Sequence, residues 1–228
     1  MNILAIDTAT EACSVALLKG EQVDAIFDVI PQQQSQQILP MIDTLLTKHN
    51  LNVSDLSAIA YGRGPGSFTG VRIATSTVQG LALGANLPVV EVSTLAAMAQ
   101  QNYEQHGFEH SVVMIDARMQ EVYFAQYSVE NGLVKLRNNE TVCPPETAYA
   151  YMQEAEPFAL AGTGYEAYSE IFREIKALSP IKVHYPNAQY MLKLAKHAFE
   201  QNKCVSVENI TPVYLRDKVT WKKLPHKV

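Results

Sequence analysis

Residues Arg63 to Ile73 read R-G-P-G-S-F-T-G-V-R-I, joining a strand-like run ending at Tyr61 to a helix-like stretch whose one charge before Glu91 is Arg72. Gly64, Pro65 and Gly66 force a sharp turn with free backbone N–H groups, and Ser67 or Thr69 can cap the following helix. Such a turn can cradle a phosphate. A second strand-to-helix turn, A-G-T-G-Y at Ala161 to Tyr165, carries Gly162 and Gly164. These permit a ligand to approach the backbone, although a plain left-handed turn would use them too. Asp7 and Asp116 each end an apolar strand pattern just before a tight turn into another strand.

Other chemistry-bearing patterns point to less. His106 and His110 form H-x-x-x-H, a spacing that binds metal on one helix face. Gly107 interrupts it, however, and the strand pattern Val112 to Asp116 follows at once, which favours a linker. Ser67 lies outside a G-x-S-x-G elbow, and no histidine and acid can be placed beside it. Cys13, Cys143 and Cys204 are odd in number and far apart, so neither a disulfide framework nor a structural zinc site is indicated.

The elements that must position these residues repeat. Strand patterns at Ile3 to Asp7, Cys13 to Leu18 and Gln22 to Val29 precede a helix from Ser35 to Lys48, a strand from Leu56 to Tyr61, a helix from Phe68 to Leu83 and a strand from Val89 to Val92. After a helix near Leu95 to Tyr103 the series restarts. Strands are expected at Val112 to Asp116, Val122 to Val129 and Leu133 to Leu136, then a helix near Glu146 to Glu154 and a strand from Phe158 to Ala161. A helix near Tyr165 to Ile175, a strand at Lys182 to Tyr185 and a helix from Ala188 to Phe199 complete it. I-L-A-I-D-T matches V-V-M-I-D-A, so Asp7 corresponds to Asp116. The fold class is therefore α/β, a duplicated βββαβα fold with two domains, 1–104 and 105–228, facing one another across a cleft where a ligand can bind.

Two helices are unusual. In the second, Gly70, Ala74, Gly80, Ala82 and Gly84 interleave with Val71, Ile73, Val78, Leu81 and Leu83, so it is buried on more than one side, by the core or by a partner. In the first, Ile38, Leu39, Met41, Ile42, Leu45 and Leu46 spread around more than half the circumference. The chain has 228 residues, 47% of them hydrophobic and 18% charged, and no apolar run long enough for a membrane. With no signal-peptide pattern at its start, a cytoplasmic location is expected. A net charge of −5 argues against broad nucleic-acid binding. Residues Tyr214 to Val228 are nonetheless basic, with Arg216, Lys218, Lys222, Lys223 and Lys227 against Asp217 alone, and hold Trp221. Such a tail is a solvated terminus or a tRNA contact.

The duplicated pattern with paired acidic turns resembles the actin-like superfamily of acetate and sugar kinases, heat-shock chaperones and actin. Within it, L-A-I-D-T-A-T at Leu4 to Thr10, L-P-M-I-D at Leu39 to Asp43, G-P-G-S-F-T-G-V-R at Gly64 to Arg72 and P-V-Y-L-R at Pro212 to Arg216 resemble the TsaB (YeaZ) family. That resemblance implies a bacterial component of the machinery that makes threonylcarbamoyladenosine beside the tRNA anticodon. It implies TsaD and TsaE as partners, with self-pairing when TsaD is absent. It places a partner interface on Ile38, Leu39, Met41, Ile42, Leu45, Phe68, Val71, Arg72, Ala74, Thr75 and Val78. Charges introduced there, Met41→Asp or Ala74→Arg, are expected to abolish the complex and leave the fold intact.

The catalytic paralogue, TsaD, carries a metal-binding H-x-x-x-H whose positions fall here on Thr94 and Met98, side chains unsuited to a divalent cation. A noncatalytic activating subunit is expected, with no metal. The superfamily also implies nucleotide contacts at Asp7, Thr8, Asp116, Gly162 and Gly164. Here they suggest weak ATP or ADP binding near the partner interface and no required cofactor, since D-A-R-M-Q-E puts Arg118 and Glu121 where a glycine-rich phosphate loop belongs. A free-standing ATPase or small-molecule kinase and a self-sufficient metallopeptidase are the rival readings.

Overall fold

A computed structural model of the chain describes residues 1–153 and 157–216. Strands β1 (Asn2–Asp7), β2 (Ala12–Lys19), β3 (Gln22–Val29), β4 (Ala58–Gly62) and β5 (Val89–Val92) form one sheet in the order β3-β2-β1-β4-β5. In the second sheet β6 (His110–Asp116), β7 (Val122–Glu130), β8 (Leu133–Leu136) and β10 (Ala159–Ala161) lie in the order β10-β6-β7-β8, and β9 (Thr141–Cys143) pairs with β7. The duplication is visible in the pairing: β1 and β6 are each antiparallel to the next strand and parallel to a later one, β4 or β10.

Strand alternation decides what covers each face. Leu4, Ile6, Val15, Leu17, Ile59 and Tyr61 point to α1 (Gln34–Lys48) and α2 (Phe68–Ala85). Ile3, Ala5, Ala16, Ala58 and Val90 face α7 (Met191–Glu200) through Met191, Leu192 and Ala195. On the second sheet, Val113, Ile115 and Ala125 pack against Leu95, Met98 and Ala99 of α3 (Thr94–His106). Val112, Met114 and Phe124 pack against α4 (Pro145–Gln153) and Phe172. The halves thus exchange helices: α3, early in the chain, covers the second sheet, and α7, late in the chain, covers the first.

The elements differ from the sequence expectation in four places, one being the short strand β9, which the expectation did not include. The helix expected over Tyr165 to Ile175 divides into α5 (Gly164–Ala167) and α6 (Ser169–Phe172), because Tyr168 leaves helical geometry at φ −128°, ψ 37° while its hydroxyl donates to Asp116. The strand expected at Lys182 to Tyr185, flanked by Pro180 and Pro186, is a single bridge from Val183 to Ala161. The expected helix from Ala188 opens as a 3₁₀ turn over Ala188–Tyr190, where the Asn187 side chain accepts from Gln189 N, before α7.

Candidate functional site

The loop after β4 is packed against the turn between β1 and β2. Ser67 N donates to Ala9 O at 2.7 Å, and Thr8 Oγ1 donates to Gly70 O at 2.7 Å. The glycines are required by that approach: a Cβ on Gly66 would stand 2.3 Å from Ala9 O, and one on Gly70 2.0 Å from Thr8 O. Ser67 caps α2, accepting from Gly70 N at 3.4 Å. The cradle is therefore filled by the chain's own backbone.

Asp7 is fully buried and both its oxygens are engaged. Oδ1 accepts from Ala9 N at 2.9 Å and Oδ2 from Thr94 Oγ1 at 3.0 Å. Burial raises its pKa from 3.8 to about 6, against the lowering effect of those bonds. A Cβ on Gly62 would stand 1.9 Å from Oδ2, so the strand beside it must be glycine. Asp7 and Thr8, expected at a nucleotide, have their side-chain oxygens engaged within the chain.

The corresponding turn of the second half is more open. Asp116 Oδ1 accepts from Arg118 N at 2.9 Å and from the Tyr168 hydroxyl at 3.2 Å, while Oδ2 accepts from Arg118 Nη1 at 2.9 Å. Arg118 Nη2 reaches across to Glu11 Oε1 at 3.2 Å, linking the two acidic turns. Gly162, at φ +98°, would place a Cβ 1.9 Å from Met114 O, and Gly164 one 2.8 Å from Met114 Cβ. Both glycines, expected at a nucleotide, are accounted for by close packing on β6.

Thr94 and Met98, at the paralogue's metal positions, are buried, and Thr94 is bonded to Asp7. Next to them, Ser93 caps α3 and also bonds Glu140 Oε1, which accepts from the Tyr127 hydroxyl at 2.9 Å. Glu140 Oε2 accepts from Arg63 Nη2 at 3.1 Å, so this carboxylate ties the loop after β4 to the second sheet. Burial, reinforced by Glu140, drives the Tyr127 phenol well above its ordinary range. His106 is the last residue of α3, Gly107 ends that helix at φ +74°, and His110 opens β6, so the two histidines do not share a helix face. Among the described residues no group of three or more His, Cys, Asp or Glu could hold a metal ion.

The expected partner face divides sharply. Ile38, Met41, Ile42, Leu45, Val71, Ala74, Thr75 and Val78 are buried within the chain, six of them in the core above the first sheet. Charges at Met41 or Ala74 would therefore disrupt the fold itself, correcting the expectation that they leave it intact. Leu39 (55% exposed), Phe68 (51%) and the Arg72 side chain are outside. So is Leu83, at 68%. The guanidinium of Arg72 lies 3.7 Å over the Phe68 ring and donates to the Tyr214 hydroxyl at 2.9 Å.

Gly80 and Gly84 face open space, with nothing within 4 Å of where a Cβ would stand. Sequence reasoning saw small residues on α2 without seeing that these two point outward. Glu140, whose partners are distant in sequence, has no local signature, and P-V-Y-L-R gives no sign that Tyr214 meets Phe68 and Arg72. The basic tail beyond Arg216 lies outside the described residues. Among the described residues no helix is long and apolar enough to cross a membrane.

Comparison with known proteins gives a consistent answer. A family model described as TsaD, tRNA N6-adenosine threonylcarbamoyltransferase, matches residues 28–224. The tRNA threonylcarbamoyladenosine biosynthesis protein TsaB of Escherichia coli is 47% identical over all of both chains. A crystal structure from Pseudomonas aeruginosa, of an uncharacterized protein described as similar to peptidase YEAZ, superposes with a TM-score of 0.88. It is 42% identical, over 94% of this chain and 99% of that one. A polyphosphate/ATP-glucomannokinase from Arthrobacter, at 11% identity and a TM-score of 0.50 over 88% of this chain and 99% of that one, shares the fold alone. The sheets, the duplicated turns and these matches together place the chain in the TsaB (YeaZ) family, on an actin-like fold.

Proposed function

We propose that this chain takes part in tRNA threonylcarbamoyladenosine biosynthesis as a noncatalytic subunit. It docks on TsaD through the outward faces of α1 and α2 and activates transfer of the threonylcarbamoyl group to the tRNA adenosine next to the anticodon. TsaE joins the same assembly, and a second copy of this chain pairs on the same face when TsaD is absent.

The observation that carries this reading is the pair Gly80 and Gly84. Glycine inside a helix costs stability relative to alanine, and among the described residues nothing requires it at either position. The spacing of four puts both on one face, where a second helix can approach the backbone closely. Leu39, Phe68 and Leu83, all exposed, supply apolar surface on the same two helices, and α2 brings one charge, Arg72.

An activating role follows physically if docking favours one conformation of TsaD by differential contact energy. The chain's own residues hold the face rigid: the buried stripe of α2, Ala74, Val78 and Ala82, seats on the first sheet. Asp7 and Thr8 are structural here, which weighs against the free-standing kinase reading.

Co-elution of purified chain and TsaD by size-exclusion chromatography tests the docking face. Phe68→Asp is expected to prevent co-elution while leaving the melting temperature close to that of the parent. Co-elution of the variant at parental stoichiometry would contradict the assignment.

A further inference from the structure

Residues 210–216, after the last helix, run back across both halves. Ile210 is buried in the core of the first sheet, and Val213 N donates to Arg63 O at 2.9 Å. The Tyr214 ring lies 5.5 Å from that of Phe68, and its hydroxyl accepts from Arg72. Two residues on, Arg216 crosses to the second half. Nε donates to Glu121 Oε2 at 2.9 Å, and Nη2 bonds the same oxygen and donates to Ala117 O at 3.2 Å and Arg118 O at 3.3 Å.

Those carbonyls belong to an unusual turn. Arg118, Met119 and Gln120 have φ of 62°, 54° and 60°, three successive non-glycine residues in the left-handed region, which L side chains enter only at a cost. Such a turn persists only where its surroundings hold it. It also presents Arg118, which pairs with Asp116 and Glu11 and so bridges the two acidic turns.

We infer that residues 210–216 form a strap coupling the aromatic cluster at the start of α2 to the turn 118–120, so that the fixing of Tyr214 on Phe68 and Arg72 decides how firmly Arg118 bridges the two acidic turns. The inference deepens the docking reading and rests on it only for what acts on Tyr214. A partner lying along α2 covers Phe68 and Tyr214 together, since both are half exposed and adjacent, and so tightens the strap. Docking and the tightening of this bridge are then one event.

Hydrogen exchange of the full chain, followed by mass spectrometry, reads the coupling. Ala117 N and Glu121 N report on the turn, being bonded to Glu121 O and Arg118 O. Arg216→Gln is expected to speed their exchange about tenfold, as loss of charge-assisted bonds does in a locally opening segment. Tyr214→Ala, although remote from the turn, is expected to speed it several-fold, with β1 and β6 amides unchanged as the check on folding. Tyr214→Phe, which keeps the ring and loses the bond to Arg72, is expected to fall between parent and Tyr214→Ala. If Tyr214→Ala and Tyr214→Phe both leave these amides at the parental rate, the coupling is absent, whatever Arg216→Gln does. With TsaD added, slower exchange at both Phe68–Arg72 and Ala117–Glu121 supports the strap. Slowing at Phe68–Arg72 alone overturns the strap and leaves docking standing. No slowing at either site counts against docking, and the strap is then decided by the variants of the free chain.

Discussion

Replacing Gly80 and Gly84 with alanine separates stability from docking, because the two effects have opposite signs. Among the described residues neither position has an atom within 4 Å of the added methyl group, so no clash there offsets the helix preference for alanine. The change is worth about 1 kcal/mol at Gly80, in the helix interior, and about 0.5 kcal/mol at Gly84, in the last turn. The pair therefore stabilises the chain by about 1.5 kcal/mol, which in a protein of this size raises the melting temperature by about 3–6 °C. Against a closely packed helix, the same two methyl groups hold the backbones apart and cost about 1–3 kcal/mol, weakening binding by about 5-fold to 150-fold. Thermal unfolding of the dilute chain measures the first effect, and isothermal titration of TsaD into parent and variant the second. A variant that is more stable but binds TsaD with parental affinity would refute the reasoning that a partner accounts for these glycines. A less stable variant would refute the geometry of α2.

Asp7→Asn is predicted to stabilise the chain at neutral pH. The folded-state pKa of Asp7 is raised from 3.8 to about 6, so the stability it allows is fully present below 3.8 and is lost as pH rises through about 6. At about 1.4 kcal/mol per pH unit, the ionised carboxylate costs about 3 kcal/mol at pH 7. Asparagine keeps the acceptor for Ala9 N and can donate to Thr94. Urea midpoints should show the variant gaining on the parent between pH 4 and pH 6 and level above; a gap independent of pH would be contrary. Met41→Asp places a charge in the core and is expected to cost about 3 kcal/mol or more, seen as a large drop in urea midpoint, in contrast with Phe68→Asp at the surface. Glu140→Ala strips the acceptor from Ser93, Tyr127 and Arg63, and about 2–4 kcal/mol of stability should go with it in the same titration.

Much of the fold was legible because its signals are local. Apolar alternation located β1 to β3, and the match of I-L-A-I-D-T to V-V-M-I-D-A located β6 and the duplication. What failed depended on tertiary context. Tyr168 breaks its helix in favour of a bond to Asp116, and Val183 keeps one bridge between two prolines. The exchange of α3 and α7 between sheets has no local signature, so the core surfaces above each sheet could not be assigned from sequence.

The candidate site was half legible for the same reason. Composition marked α1 and α2 as apolar nearly all round, but which side faces out depends on the sheet beneath. Eight of the eleven interface residues proved to be buried within the chain, leaving Leu39, Phe68 and Arg72 outside. The glycines of R-G-P-G-S-F-T-G read equally as a phosphate cradle or as a close backbone contact, and only the position of the turn after Asp7 chooses the second.

The most direct test of the noncatalytic subunit reading is reconstitution of TsaD, TsaE, tRNA and threonylcarbamoyl-adenylate with and without this chain, with the modified nucleoside measured by mass spectrometry. The account predicts product only when the chain is present with TsaD, and none from the chain alone. Equal product in its absence, or product from the chain without TsaD, would contradict it.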